Sequence, residues 1–121
     1  MKSLAPCLIL ASALLISDGV AVAPYVVIGS GAESCGSWTA NARAYAPGRG
    51  VATLGHQVHL QHRQWVVGFL SGIGAMGVPG INPLNNLDGE GVWAWIGNYC
   101  RANPIKDIAD AATAFVKEHP R

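Results

Sequence analysis

The sequence has little charge: only 12% of its 121 residues are Asp, Glu, Lys or Arg, and the formal net charge is +1. This excludes a disordered polyelectrolyte, which would be rich in charge and poor in the apolar residues that make up 50% of this chain. A dedicated nucleic-acid-binding domain needs a basic surface that neutralises phosphates, so no nucleic-acid partner is expected. The length is sufficient for one domain.

The familiar catalytic signatures are also absent from the sequence. It contains no G-x-S-x-G nucleophile elbow, no H-E-x-x-H pair, no phosphate-binding P-loop and no C-x-x-C-H haem motif. Asp88 and Glu90 resemble a carboxylate dyad, but a helix cap with its first-turn neighbour explains them more simply. We therefore predict a protein that is not an enzyme and that uses no cofactor.

The first 23 residues have the pattern of a secretory signal peptide. Lys2 supplies a positive charge, residues 4–16 form an uncharged apolar run, and residues 20–23 form a small-residue A-x-A exit. Pro24 directly follows Ala23, and proline is unfavourable after a cleavage site, so cleavage after Ala21 is an alternative to cleavage after Ala23. We expect a signal peptide over residues 1–23, a single domain over residues 24–121, and a periplasmic or secreted protein.

Two stretches could be taken for membrane spans. An uncleaved anchor over residues 4–28 would place Asp18 in hydrocarbon, at a cost of about 2.5–3.5 kcal/mol. The second stretch lacks charge from Trp65 to Leu87, but its helix-compatible part ends before Pro79, after about 14 residues, whereas a span needs about 20. We therefore expect a buried core helix there and no membrane span in the mature chain.

Cysteine is scarce, with three in the chain. Cys7 falls within the expected signal peptide, and the apolar run before it is too short for a lipoprotein site. Cys35 and Cys100 then remain in the mature chain, and two cysteines in an oxidising compartment normally pair. We predict a disulfide between them that stabilises the fold by about 4 kcal/mol through the long loop it closes.

The mature chain is predicted to be all-α, a small four-helix orthogonal bundle stapled by this disulfide. The first helix begins at Ser34 or Cys35 and the second spans about 56–76. Asp88 caps the third helix, and Asn103-Pro104 ends it and begins the fourth. Residues 25–28 are either a short strand or an extended lead-in.

Apolar spacing assigns a buried face to the last three predicted helices. These faces comprise Leu60, Val67, Leu70 and Gly74 in the second helix, Val92, Ile96, Tyr99 and Asn103 in the third, and Ile108, Ala112 and Phe115 in the fourth, edged by Ile105 and Val116. Gly68 and Gly72 stand four apart and would let another backbone approach closely. Each of these two glycines weakens the helix by about 1 kcal/mol relative to Ala.

Three histidines recur at every third position in front of Arg63, namely His56, His59 and His62. An adjacent pair could bind a metal on a helix, but the third would lie too far around, and Arg63 repels a cation. We interpret this stretch as solvated helix surface, with metal binding as a weak alternative. Because histidine changes charge near neutral pH, the three are also candidate pH sensors.

Tryptophan is abundant for this length, with four residues at Trp38, Trp65, Trp93 and Trp95. Most are expected in the core, because a small helical domain needs large side chains to bury enough area. Trp93 and Trp95 lie two apart and must point to different faces of one helix. One of these two is therefore expected to be partly exposed, as part of a contact patch for a protein partner, and all four tryptophans are weak candidates for binding.

Four motifs together resemble a known class of protein: Cys35-Gly36-Ser37-Trp38, the helix from Gln64 to Leu70, the run from Trp95 to Pro104, and Glu118-His119-Pro120. The layout is similar to small exported proteins of Gram-negative bacteria in the HdeA-like group, over about residues 33–120. It also resembles single-domain immunity proteins of type VI secretion. These resemblances imply about four helices and one disulfide that joins an early helix to a later one.

The two resemblances imply different functions. The HdeA-like group implies an acid-activated periplasmic chaperone, which loosens at low pH and binds unfolding clients. The immunity group implies tight binding of one secreted toxin. A third hypothesis, a carrier of a small ligand or metal, relies on residues 56–62. The leading expectation is a non-enzymatic exported protein that acts by protein–protein contact.

Overall fold

The fold is taken from a computed structural model, which describes residues 25–44 and 53–120. Within those residues the chain forms a short 3-10 turn, Gly29–Ala32, and four α-helices: α1 (Cys35–Ala42), α2 (Leu54–Ala75), α3 (Gly89–Ala102) and α4 (Ile108–Glu118). The predicted all-α class and helix number are confirmed for this part of the chain. The predicted signal peptide, with its cleavage site and Cys7, lies outside the described residues.

Side-chain caps explain where three of the helices begin. The Ser34 hydroxyl accepts from the Ser37 amide at 3.1 Å, and the Asp88 carboxylate accepts from the Gly91 amide at 2.8 Å, as predicted for α3. The Thr53 hydroxyl accepts from the His56 amide at 3.2 Å and starts α2 at Leu54, two residues before the predicted start. Each bond satisfies a first-turn amide that would otherwise have no partner within its helix.

The predicted start of the fourth helix at Asn103-Pro104 is wrong. The Asn103 side chain donates to the Tyr99 carbonyl at 2.9 Å, so this residue closes α3 and does not open α4. The helix begins instead at Ile108, where Asp107 and Asp110 form a capping box. Ile105, expected at the edge of a buried face, is 91% exposed in the connection between the two helices.

The disulfide between Cys35 and Cys100 is present and joins the first residue of α1 to the last turn of α3. The start of α1 is held further by backbone bonds to the connection after α3. The Cys35 amide donates to the Lys106 carbonyl at 2.7 Å, and the Gly36 amide donates to the Pro104 carbonyl at 2.9 Å. The predicted pairing is therefore confirmed, and the covalent link lies in an ordered junction of three helices.

Residues 25–34, before α1, form a lead-in that is extended on both sides of the 3-10 turn, and no strand occurs among the described residues. Their one sheet-like contact is an isolated antiparallel bridge between Ser34 and Asp107. The Ile108 amide also donates to the Glu33 carbonyl at 2.9 Å. The lead-in is thus fastened to the beginning of α4, which places the Glu33 side chain beside α2.

The core lies where the four helices meet and contains both cysteines of the disulfide. Its buried members are Cys35, Trp38, Val66, Leu70, Val92, Ile96, Cys100, Ile108, Ala111 and Phe115. The predicted faces of α3 and α4 are confirmed at Val92, Ile96, Ile108, Ala112 and Phe115. Among the described residues no helix has both the length and the apolar character needed to cross a membrane.

The buried face of α2 differs from the predicted one. Val66 and Leu70 are fully buried, but Leu60 is 39% exposed. Gly68 and Gly72 are exposed, and no described atom lies within 4 Å of a Cβ built at either position, so no described backbone makes the predicted close approach. The buried face is rotated around α2 relative to the predicted face, because α1 packs against the side of α2 that carries the histidines.

Candidate functional site

The candidate site is a buried polar cluster on the first half of α2. Three side chains there are buried although they are polar or charged: His59 is 6% exposed, His62 0% and Arg63 5%. The expectation of a solvated histidine surface is therefore wrong for His59 and His62, whereas His56 is half-buried. Burial of such groups costs free energy unless their polar atoms find partners, so the surrounding contacts decide what this cluster can do.

Trp38 of α1 covers both buried histidines. It is 2% exposed, and its ring meets the His59 ring edge-on at a centroid distance of 5.0 Å. The His62 ring lies nearly parallel to it, with 6.0 Å between centroids and an interplanar angle of 14°. The largest side chain of α1 thus excludes water from two imidazole rings.

His62 is paired with a carboxylate from the lead-in. Its Nε2 lies 3.0 Å from Glu33 Oε2, and the same carboxylate oxygen accepts from the Ser37 hydroxyl at 2.9 Å. An ionised carboxylate can only accept, so Nε2 carries the proton and donates. The hydrogen bond from His62 is the main reason that the pKa of Glu33 lies below its usual value, with Ser37 adding to it and burial opposing it.

The other ring nitrogen of His62 has no hydrogen-bond partner among the described residues. Its Nδ1 is buried, and with the proton on Nε2 it is a bare acceptor in the neutral ring. Leaving such a buried polar atom without a partner costs about 1–3 kcal/mol of desolvation free energy.

Arg63 bounds the cluster on the side of α3. Its Nη2 donates to Glu90 Oε1 at 3.0 Å, and its Cζ lies 3.3 Å from the centre of a Trp93 ring. The guanidinium thus has a carboxylate partner and an aromatic face, both favourable for a cation with little access to water. A permanent positive charge is held next to the histidines.

The charge of Arg63 and the burial of the ring together lower the pKa of His59. Burial is the largest cause that lowers the pKa of His59, and the charges of Arg63, His62 and His56 lower it further, to about 4 from the usual 6.5. His59 is consequently neutral in the folded protein at physiological pH. The charge change expected of these histidines near neutral pH is displaced toward acid at this position.

The four tryptophans do not converge on one surface. Trp38 and Trp93 belong to the histidine cluster. Trp65 stacks on Phe69 with centroids 5.3 Å apart and donates to the Ile28 carbonyl at 3.2 Å. Trp95 donates to Glu118 at 3.3 Å. Trp93 and Trp95 do meet different partners, as their spacing predicted, and both are partly buried against the core.

The described residues contain no group of three or more His, Cys, Asp or Glu side chains placed to hold a metal ion. His56, His59 and His62 are therefore not brought together as one ligand set. Their order along α2 instead divides them between a half-buried position and two buried positions under Trp38.

Sequence reasoning missed Glu33 and Glu90 as members of the cluster and treated Arg63 only as a repelling charge. A signal for the buried face was present: His59, His62, Arg63, Val66 and Leu70 follow helical spacing. Reading only apolar residues as core hid this pattern. The partner carboxylates are 29 and 27 residues away in the chain, and no local spacing indicates them.

Comparison with known proteins adds no relative to this description. No protein-family model, no curated protein and no solved structure gives a significant match to the chain. Any assignment of function therefore depends on the geometry of the chain's own residues.

Proposed function

We propose that this chain is an exported, non-enzymatic protein that acts by protein–protein contact and whose fold loosens in acid to expose apolar surface for unfolding clients. The proposal follows the resemblance to HdeA-like proteins. The observation that carries it is the burial of His59 and His62 under Trp38, with a pKa of about 4 for His59. A core that holds a neutral His59 becomes less stable as protons become abundant.

The direction of the pH effect follows from linkage. An unfolded chain takes up a proton at His59 near pH 6.5, whereas the folded chain does so only near pH 4. Between these values the unfolded state binds more protons, so the free energy of unfolding decreases as the pH falls. Glu33 lowers the free energy of unfolding further at lower pH. Its pKa is lowered in the folded protein, so acid must protonate a carboxylate that His62 stabilises.

Loosening would act on Trp38 first in this mechanism. Its ring contacts both histidines, so a charge gained by His59 makes the buried position beneath Trp38 unfavourable. Separation of α1 from α2 would expose Val66 and Leu70, while the disulfide keeps α1 attached to α3. An opened but tethered chain presents apolar surface and can close again when the pH rises.

The test is dye binding and client protection as a function of pH. We expect the fluorescence of an apolar-surface dye to rise sharply from about pH 7 to about pH 3, in parallel with suppression of aggregation of an acid-unfolded client. His59→Phe should move the midpoint of both curves to lower pH. His119→Phe is the matched control, because it removes a histidine outside the cluster, and it should leave the midpoint in place.

A flat dye response over this range, or equal shifts from the two variants, would contradict the acid-loosening proposal. Export is tested separately by mass spectrometry of protein purified from the expressing cell. We expect a mature chain that begins after Ala21 or Ala23, without free thiols. An intact leader with alkylatable Cys35 and Cys100 would remove the export proposal.

The immunity-type function is the second candidate, and one observation favours it. The native fold already exposes apolar side chains around a groove of about 460 Å³ lined by Phe69, Ile73, Met76 and Thr113 with Tyr25. Met76 is 71% exposed and Tyr25 64%. A single protein partner that binds at neutral pH and is lost in Met76→Asp but not in Leu54→Asp, an exposed apolar position outside the groove, would favour this function over the acid-loosening one.

A further inference from the structure

A second pocket lies between α1 and the end of α3, with a volume of about 380 Å³. The disulfide residue Cys100 lines it, together with Thr39 and Pro104. Two arginines from different helices also line it, Arg43 at the end of α1 and Arg101 in the last turn of α3. No acidic side chain of the described residues contributes to the lining, and the two charged groups that do are both positive.

The carboxylates of the described residues are all engaged elsewhere. Glu33 pairs with His62, Glu90 with Arg63, Asp88 with the Gly91 amide, Asp110 with Asp107 in a capping box, and Glu118 with the Trp95 indole. Arg101 donates to Asn98, an uncharged amide. Within the described part of the chain, Arg43 and Arg101 thus face one pocket without a carboxylate counter-charge.

Helix dipoles compensate only part of the positive charge of the two arginines. Arg43 and Arg101 lie at the C-terminal ends of α1 and α3, where the free carbonyls are equivalent to about half a negative charge per helix. Two full positive charges therefore remain only partly compensated at one concave surface. The volume is at the small end of the range found for ligand pockets, about 300–1,000 Å³.

We propose that this pocket binds a small dianionic oxyanion, of the phosphate or dicarboxylate class. Guanidinium groups suit this chemistry because their planar donors match two oxygens of a carboxylate or phosphate at once. The Thr39 hydroxyl in the same lining already donates to the Cys35 carbonyl at 3.1 Å, so the two guanidinium groups carry the recognition. The site goes beyond the proposed acid response, since it uses none of the residues of the histidine cluster.

The proposal is tested by NMR titration of the purified oxidised protein with inorganic phosphate and, separately, with succinate, at about pH 8, where phosphate is a dianion. We expect saturable shifts of the Thr39 and Arg101 amide signals, with a dissociation constant of about 1 mM or tighter for one of the two ligands. Arg43→Gln and Arg101→Gln should each weaken binding at least about tenfold. Saturation by phosphate or by succinate distinguishes the two sources of the oxyanion.

Lys117→Gln is the matched control, because it removes one exposed positive charge from α4, outside the pocket. It should leave the dissociation constant unchanged. Equal weakening by Lys117→Gln would show non-specific charge attraction and overturn the proposal, as would shifts that never saturate. The titration contains no client and no acid, so its result is independent of whether the fold loosens at low pH.

Discussion

His59 is the residue whose chemistry depends most on the fold. It is 6% exposed, lies edge-on to Trp38 and has a pKa of about 4. The usual value is 6.5, so the difference corresponds to about 3 kcal/mol between the folded and unfolded chains. That is a large part of the 5–15 kcal/mol that typically stabilises a domain.

We therefore expect the free energy of unfolding to decrease by up to about 3 kcal/mol as the pH falls from about 6.5 to about 4 and to level off below that for this group. In His59→Phe, an aromatic ring that cannot be protonated, the decrease over this window should be much smaller. Urea unfolding followed by tryptophan fluorescence at a series of pH values measures it. Identical pH profiles for the wild type and the variant would contradict the assignment.

Gly31 is buried in the 3-10 turn directly beneath the Trp65 ring. A Cβ at this position would overlap ring atoms of Trp65, and that ring is held by stacking on Phe69 and by its bond to the Ile28 carbonyl. We expect Gly31→Ala to lower the free energy of unfolding by about 1–3 kcal/mol, the usual cost of overpacking. Gly36→Ala, where a Cβ would make ordinary contact at 3.4 Å, is the control and should cost less.

Among the elements, α2 combines two different kinds of surface. Its first half buries the histidine cluster, whereas Gly68 and Gly72 in its second half are exposed and have no described atom within 4 Å of a built Cβ. These glycines therefore impose the helix penalty of glycine without a packing contact in the described fold to require them.

We expect Gly68→Ala and Gly72→Ala each to raise the free energy of unfolding by up to about 1 kcal/mol, because alanine has the higher helix propensity and no described atom occupies the space of the added methyl group. Thermal unfolding by circular dichroism measures the effect. Gly89→Ala in α3 is the contrasting variant and should lower the free energy of unfolding, since a Cβ there would lie 2.6 Å from the Trp93 ring. A loss of stability at position 68 or 72 would mean that the helix needs a glycine there.

For the whole molecule, the disulfide is a covalent link between two distant parts of the chain. It joins residues 65 positions apart and links α1 to α3 at the junction with the connection to α4. Cross-linking so long a loop removes conformations mainly from the unfolded state. The bridge therefore acts on the stability of the whole domain and not on one helix alone.

We expect the double variant Cys35→Ala, Cys100→Ala to lose about 4 kcal/mol of unfolding free energy relative to the oxidised protein. Denaturant unfolding with and without reductant measures this loss, and the double variant should no longer respond to reductant. A reduced wild type as stable as the oxidised protein would contradict the inference. In the acid-loosening proposal, the reduced protein should also bind the apolar-surface dye at a higher pH.

Local chemistry determined much of this protein without reference to its fold. The cap at Asp88 and the buried faces of α3 and α4 follow from residues within one or two turns. The pairing of Cys35 with Cys100 follows from the two cysteines that remain after the predicted signal peptide. Helical spacing and capping are short-range effects, so a linear sequence contains what is needed to predict them.

The tertiary structure alone decided which polar side chains became core. His59, His62 and Arg63 are buried because α1 places Trp38 against them and because Glu33 and Glu90 arrive from distant segments as partners. The same long-range choice left Leu60 and Ile105 exposed. Burial depends on which face another helix covers, and that is set by packing of the whole chain, which the spacing within a single helix does not contain.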